Sequence, residues 1–91
     1  MDVRHLPDEK RFTADVGGGE AVLGYDDSRQ GVIDLQHTVV PDEAQGQGVG
    51  GRLVEAAVRH ARAKGLRIVP TCPFVQHWMQ EHPEHAELVA R

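Results

Sequence analysis

The chain is poor in several things, and each shortage excludes something. It has one cysteine, Cys72, among 91 residues. An internal disulfide is therefore impossible, and a reducing cytoplasmic compartment is expected. Two Phe, one Trp and one Tyr are its only large aromatics, so the core must come mainly from Ile, Leu, Val and Ala. No apolar run approaches the roughly 20 residues that span a bilayer, and the opening MDVRHLPDEK lacks the apolar centre of a secretory signal. Ten Lys and Arg face fourteen Asp and Glu, a formal net charge of −4. Broad electrostatic adhesion to nucleic acid or an anionic membrane is not expected, although a local spot could still hold an anion.

What is present reads as one small α/β domain over residues 1–91, with Met1 to Asp8 as a frayed leader. Arg11 to Val16 and Ala21 to Tyr25 form two short apolar runs around Gly17-Gly18-Gly19, a hairpin signal. Val32 to Val40 is the strongest strand. Strict alternation puts Ile33, Leu35, His37 and Val39 on one face and Asp34, Gln36, Thr38 and Val40 on the other. Pro41 ends it. The period then changes. Leu53, Val54, Ala57, Val58 and Ala61 recur at helical spacing, and Gly65 supplies a C-terminal stop for a helix from about Gly48 to Lys64. Leu66 to Cys72 predicts a short buried strand. Pro73 opens a second helix with Phe74, Val75, Trp78 and Met79 on its apolar face, and Pro83 stops it. The expected order is β-β-β-α-β-α, with a mainly antiparallel sheet.

The unusual segment is the entry to the long helix, EAQGQGVGGRL, where Gly46, Gly48, Gly50 and Gly51 crowd together. Gly46 to Gly51 fits the dinucleotide fingerprint G-x-G-x-x-G, but no Asp or Glu follows at the ribose-binding distance. It nearly fits the phosphate-binding P-loop, but Arg52 and Leu53 stand where Lys and Ser/Thr are needed. A plain tight turn would explain one or two of the glycines. Capture of an anion explains more. The first N–H groups of a helix lack intrahelical partners, the helix dipole adds positive charge, and glycines admit a bulky phosphate. Arg52 could add charge if it turned toward the loop.

Gln45-Gly46-Gln47-Gly48-Val49-Gly50 resembles (R/Q)-x-x-G-x-(G/A), the coenzyme A pyrophosphate loop of GNAT-type N-acetyltransferases. With His37-Thr38 before the loop and Cys72-Pro73-Phe74 and Trp78 after it, residues Val32 to about Leu88 are similar to the small stand-alone Yjdj-type members. The resemblance implies a compact GNAT-like fold, acetyl-CoA as donor and an unidentified amine as acceptor, in a monomer or weak dimer. Gln45, Gly46, Gln47, Gly48, Val49, Gly50 and Gly51 would hold the pyrophosphate. The backbone of Thr38, Val39 and Val40 would hold the pantetheine, with an N–H of Val39 or Val40 facing the oxyanion. Phe74 would touch the cofactor. Cys72 has two readings, a small buried hydrophobe or a nucleophile or acid at the thioester. His37 is either a core histidine or a general base, for the acceptor or for Cys72. His77 is a weaker candidate for the same role. His77, His82 and His85 have poor spacing for a helical metal site, so no metal is expected. A coenzyme A-binding module without turnover, or an interaction domain in which the glycines merely turn the chain, are the competing functions.

Overall fold

The computed structural model describes residues 2–90. Its strands are β1 (Val3–Leu6), β2 (Arg11–Asp15), β3 (Glu20–Asp26), β4 (Val32–Val39) and β5 (Arg67–Pro70). They form one sheet in the order β1-β2-β3-β4-β5. The first three pairings are antiparallel and β4–β5 is parallel. Helix α1 (Val49–Lys64) makes the crossover that a parallel pair requires, and α2 (Pro73–Glu81) follows β5.

The expected leader is a strand. Within it, Val3–Leu6 pairs with Arg11–Ala14, and Met1 lies outside the described residues. Its composition hides it, because His5 takes an inward position and stacks on Phe12 with ring centroids 4.3 Å apart. The predicted strand from Leu66 to Cys72 is shorter than expected. β5 ends at Pro70, and Cys72 becomes the residue that caps α2.

Helix α1 forms where the periodicity placed it. Leu53, Val54, Ala57, Val58 and Ala61 are buried, against Phe12, Ala14, Ala21, Leu23, Tyr25, Ile33, Leu35 and Ile68 in one core cluster. The stop at Gly65 (φ +69°) lets Leu66 N–H return to the Ala61 carbonyl at 2.8 Å, which satisfies an otherwise orphaned acceptor. α2 adds Val75 and Met79 to the same core. Beyond a 3-10 turn over Pro83–Leu88, Val89 bridges Ile68 in parallel.

One irregularity positions the site. β3 and β4 pair as Gly24↔His37 and Tyr25↔Leu35, so Gln36 is an extra residue in β4. Such a bulge reverses the alternation after it. Leu35 points inward with Tyr25, and three residues later Thr38 also points inward, opposite Leu23. His37 and Val39 turn to the other face, where both are exposed. The expected common face for Ile33, Leu35, His37 and Val39 is therefore broken after Leu35.

Candidate active site

β4 and β5 run together only as far as Leu35↔Pro70. The last backbone–backbone bond between β4 and the chain leaving β5 is Cys72 N–H to the Leu35 carbonyl, at 3.0 Å. Beyond it β4 continues to Val39 while the other chain turns away into α2. A cavity of about 520 Å³ opens beside this divergence, lined by Thr38, Val40, Ala44, Gln45, Gly46, Gly48, Val49, Gly50, Gly51 and Phe74. Most of the predicted cofactor contacts thus share one wall.

Val39 and Gln47 do not line it. Val39 is 57% exposed on the opposite face of β4. Gln47 instead braces the loop, with Nε2 3.4 Å from the Glu43 carbonyl. Gln45 both lines the cavity and fixes the strand end, donating to the Val40 carbonyl at 3.2 Å. Ala44 is a lining residue that the sequence reading missed; nothing but its place beside the motif marks it. Arg52 does not turn toward the loop. It borders a separate groove with Asp2, Val3, Glu55, Ala56 and Arg59.

The glycines have different reasons at different positions. Gly46 (φ +84°) and Gly48 (φ +78°) hold left-handed backbone, and a Cβ on either would meet open space. Gly50 and Gly51 are helical and are pressed by α2. A Cβ on Gly50 would stand 2.8 Å from Phe74 Cζ, and one on Gly51 3.3 Å from Trp78 Nε1. The expectation that all four side chains are missing to admit an anion is therefore corrected for these two: helix–helix packing removes them. From Gly46 to Gly51, none of the backbone N–H groups makes a well-formed hydrogen bond to the described residues, although Gln45 to Gly48 form a turn; the first to do so is Arg52, to the Gly48 carbonyl at 3.1 Å. Donors without such partners at the head of a helix of 16 residues stand beside a cavity that this loop lines, an arrangement suited to holding an anion.

Cys72 lies behind Thr38 and is 5% exposed. Its Sγ is 3.5 Å from Thr38 Oγ1. Burial pushes the thiol pKa up, but the Thr38 hydroxyl and the backbone N–H groups of Val75, Phe74 and Thr38 outweigh it, so the thiol sits below its ordinary value. The position before Pro73 explains the two α2 amides, since Cys72 is the N-cap of that helix. Their effect is electrostatic, without a full capping hydrogen bond.

His37 is not brought to Cys72. The bulge places it on the far face from Thr38, with its ring over Gly24, where an added Cβ would be 2.6 Å from Nε2. A base for Cys72 at His37 is excluded by this reversal. The thought that Val39 N–H faces the cleft is corrected in the same way. Thr38 N–H points to Cys72, and successive residues turn their amides to opposite edges, so Val40 shares that edge and Val39 faces β3. Of the other histidines, His77 lies beside Glu81 at 3.3 Å, His82 stacks on Trp78 at 3.8 Å, and His85 lies 3.0 Å from Arg62. Among the described residues no group of three or more His, Cys, Asp or Glu is gathered to hold a metal ion.

Residues 11–88 match the family model for the GCN5-related N-acetyltransferase domain. The chain belongs to that family. Among its relatives is Protein NATD1 of Gallus gallus, 33% identical over 85 residues, which covers 91% of this chain and 77% of the relative. Protein NATD1 of Homo sapiens is 34% identical over 83 residues, covering 89% and 74%. A GCN5-like protein from Staphylococcus aureus, solved in solution by NMR, superposes with a TM-score of 0.77 at 30% identity, covering 98% of this chain and 87% of that one. Among the described residues no helix is long and apolar enough to cross a membrane.

Proposed function

We propose that this GCN5-related domain transfers an acetyl group from acetyl-CoA to an amine. The observation that carries the reading is the row of N–H groups from Gly46 to Gly51 without well-formed hydrogen bonds, set beside a cavity whose wall ends at Thr38, next to Cys72. The pyrophosphate of the cofactor is the dianionic group that such donors suit. Pantetheine would then run along the free edge of β4 at Thr38 and Val40, against Phe74, and bring the thioester toward Cys72.

Cys72 is held in surroundings that favour its thiolate, which is the attacking form. In the proposed step the sulfur attacks the thioester carbonyl. A new C–S bond to Cys72 forms, the bond to the cofactor sulfur breaks, and coenzyme A leaves as a thiolate that takes up a proton from solvent. The acceptor amine then attacks acetyl-Cys72, loses a proton and frees the thiolate.

Intact-mass measurement after mixing with acetyl-CoA tests this. The expected result is an adduct of about 42 Da on Cys72 that is discharged by an amine. Direct transfer to an amine with no adduct would leave Cys72 as an acid for the departing thiolate. Tight binding with neither adduct nor product would make the protein a coenzyme A-binding module.

A further inference from the structure

We propose that Thr38 is a positioning residue for Cys72: its side-chain hydroxyl donates to Sγ and fixes the thiolate at the head of the cavity, and the Gln36 bulge exists in β4 to deliver it there. The inference deepens the acetyl-transfer reading, on which its catalytic purpose rests. Three observations converge on it. The hydroxyl and sulfur are 3.5 Å apart across elements separated by 34 residues. Thr38 is inward only because one extra residue in β4 reverses the alternation. Were Gln36 paired regularly in the ladder, the inward position after Leu35 would fall to His37 and Thr38 would face outward. Thr38 also lines the cavity, and through this contact it joins the buried Cys72 to the cavity wall.

A threonine does what a histidine there would not. It donates one hydrogen bond without carrying charge and without competing for the proton during attack. The groups acting on Cys72 are its burial, the Thr38 hydroxyl, and the amides of Val75, Phe74 and Thr38; no charged side chain is among them. Among these groups the hydroxyl is the one side chain.

The test is the pH profile of Cys72 alkylation by iodoacetamide, read by intact mass on the full chain. The sole cysteine makes the signal unambiguous. A hydrogen bond to a charged group is worth enough that its loss in Thr38→Val should raise the midpoint by about one unit. Thiolate at neutral pH then falls about tenfold, partly offset by greater intrinsic nucleophilicity, so the rate near pH 7 should drop about three- to fourfold. Thr38→Ser keeps the hydroxyl and should restore the midpoint. A thermal melt of each variant separates misfolding from the effect. If Thr38→Val folds but keeps the wild-type midpoint, or if Thr38→Ser shifts it as far as Thr38→Val does, the proposal is overturned. Acetyl transfer plays no part in this readout. A shifted midpoint in a chain that acetylates nothing would sustain the Thr38 role while removing the function, and an unchanged midpoint in a chain that acetylates an amine would do the reverse.

Discussion

Replacing Gly48 and Gly50 by alanine, one at a time, should give opposite results for stability and for the cavity. Gly48 caps α1 with φ +78° and ψ +13°, and an added methyl group would meet no atom within 4 Å. The cost is then purely conformational, about 1–2 kcal/mol for an L-residue held in the left-handed region. For a domain of this size that is a fall in Tm of roughly 4–16 °C. Gly50 has ordinary helical backbone, so alanine should gain up to about 1 kcal/mol of helix propensity. Its methyl group, however, would stand 2.8 Å from Phe74 Cζ. Phe74 is 44% exposed, so its ring can swing aside, and stability should stay within about 1 kcal/mol of wild type. The displaced ring lines the cavity, so the loss appears in ligand affinity instead. Urea unfolding and acetyl-CoA titration on both variants, with Gly50→Ala/Phe74→Ala as the relief pair, read the two effects separately. If Gly50→Ala lowers stability as much as Gly48→Ala does, and removing the Phe74 ring recovers neither stability nor affinity, the packing account of Gly50 is wrong.

Three further outcomes follow from the same geometry. His5 and His60 meet edge to face at 4.5 Å, and both have lowered pKa values. Burial is the main cause, followed for His5 by the His60 charge and for His60 by Lys64, while Asp27 opposes the shift in each and Lys10 adds to it at His5. The unfolded chain then binds protons more readily, so this stability is complete above the unfolded value near 6.5 and is lost as pH falls through the folded values. Urea midpoints should drop between about pH 7 and pH 5, and the drop should shrink in His60→Gln; an equal drop in both proteins would refute the assignment. Tyr25→Phe removes the partner of His5 Nε2, 2.7 Å away, and should cost about 1 kcal/mol in urea unfolding, whereas no loss would mean the bond contributes nothing. Leu53→Ala empties a fully buried position in the second turn of α1 and should cost about 2–5 kcal/mol; a chemical melt showing less than 1 kcal/mol would mean that the core collapses around the gap.

The parts of the fold that repeat a period were legible. α1 showed through Leu53, Val54, Ala57, Val58 and Ala61, and its ends through Gly48 and Gly65, because helical spacing and left-handed stops leave marks in sequence. β1 was not legible, because four residues with histidine and arginine inside them carry no alternation. The bulge was harder. VIDLQHTVV alternates formally from end to end, and an extra residue in pairing leaves no trace in a single strand. The one available signal was across the sheet, at Gly24. A glycine inside a strand often marks a bulge or a close approach, and here the His37 ring lies where its Cβ would be. Reading that glycine would have separated His37 from Cys72 at once. The loop glycines were recognised as a group, but composition cannot distinguish a positive φ at Gly46 and Gly48 from the press of Phe74 and Trp78 on Gly50 and Gly51. That distinction lies in tertiary packing between α1 and α2.

The most direct measurement is a two-dimensional amide NMR titration of ¹⁵N-labelled protein with coenzyme A. The account predicts that the resonances of Gly46 to Gly51 move together and saturate at one dissociation constant, with Thr38 and Val40 following, and that ligand at 100 times that constant adds about 2.7 kcal/mol to stability. Loop amides that stay fixed while the ligand binds elsewhere, or a melt that coenzyme A does not shift, would contradict it.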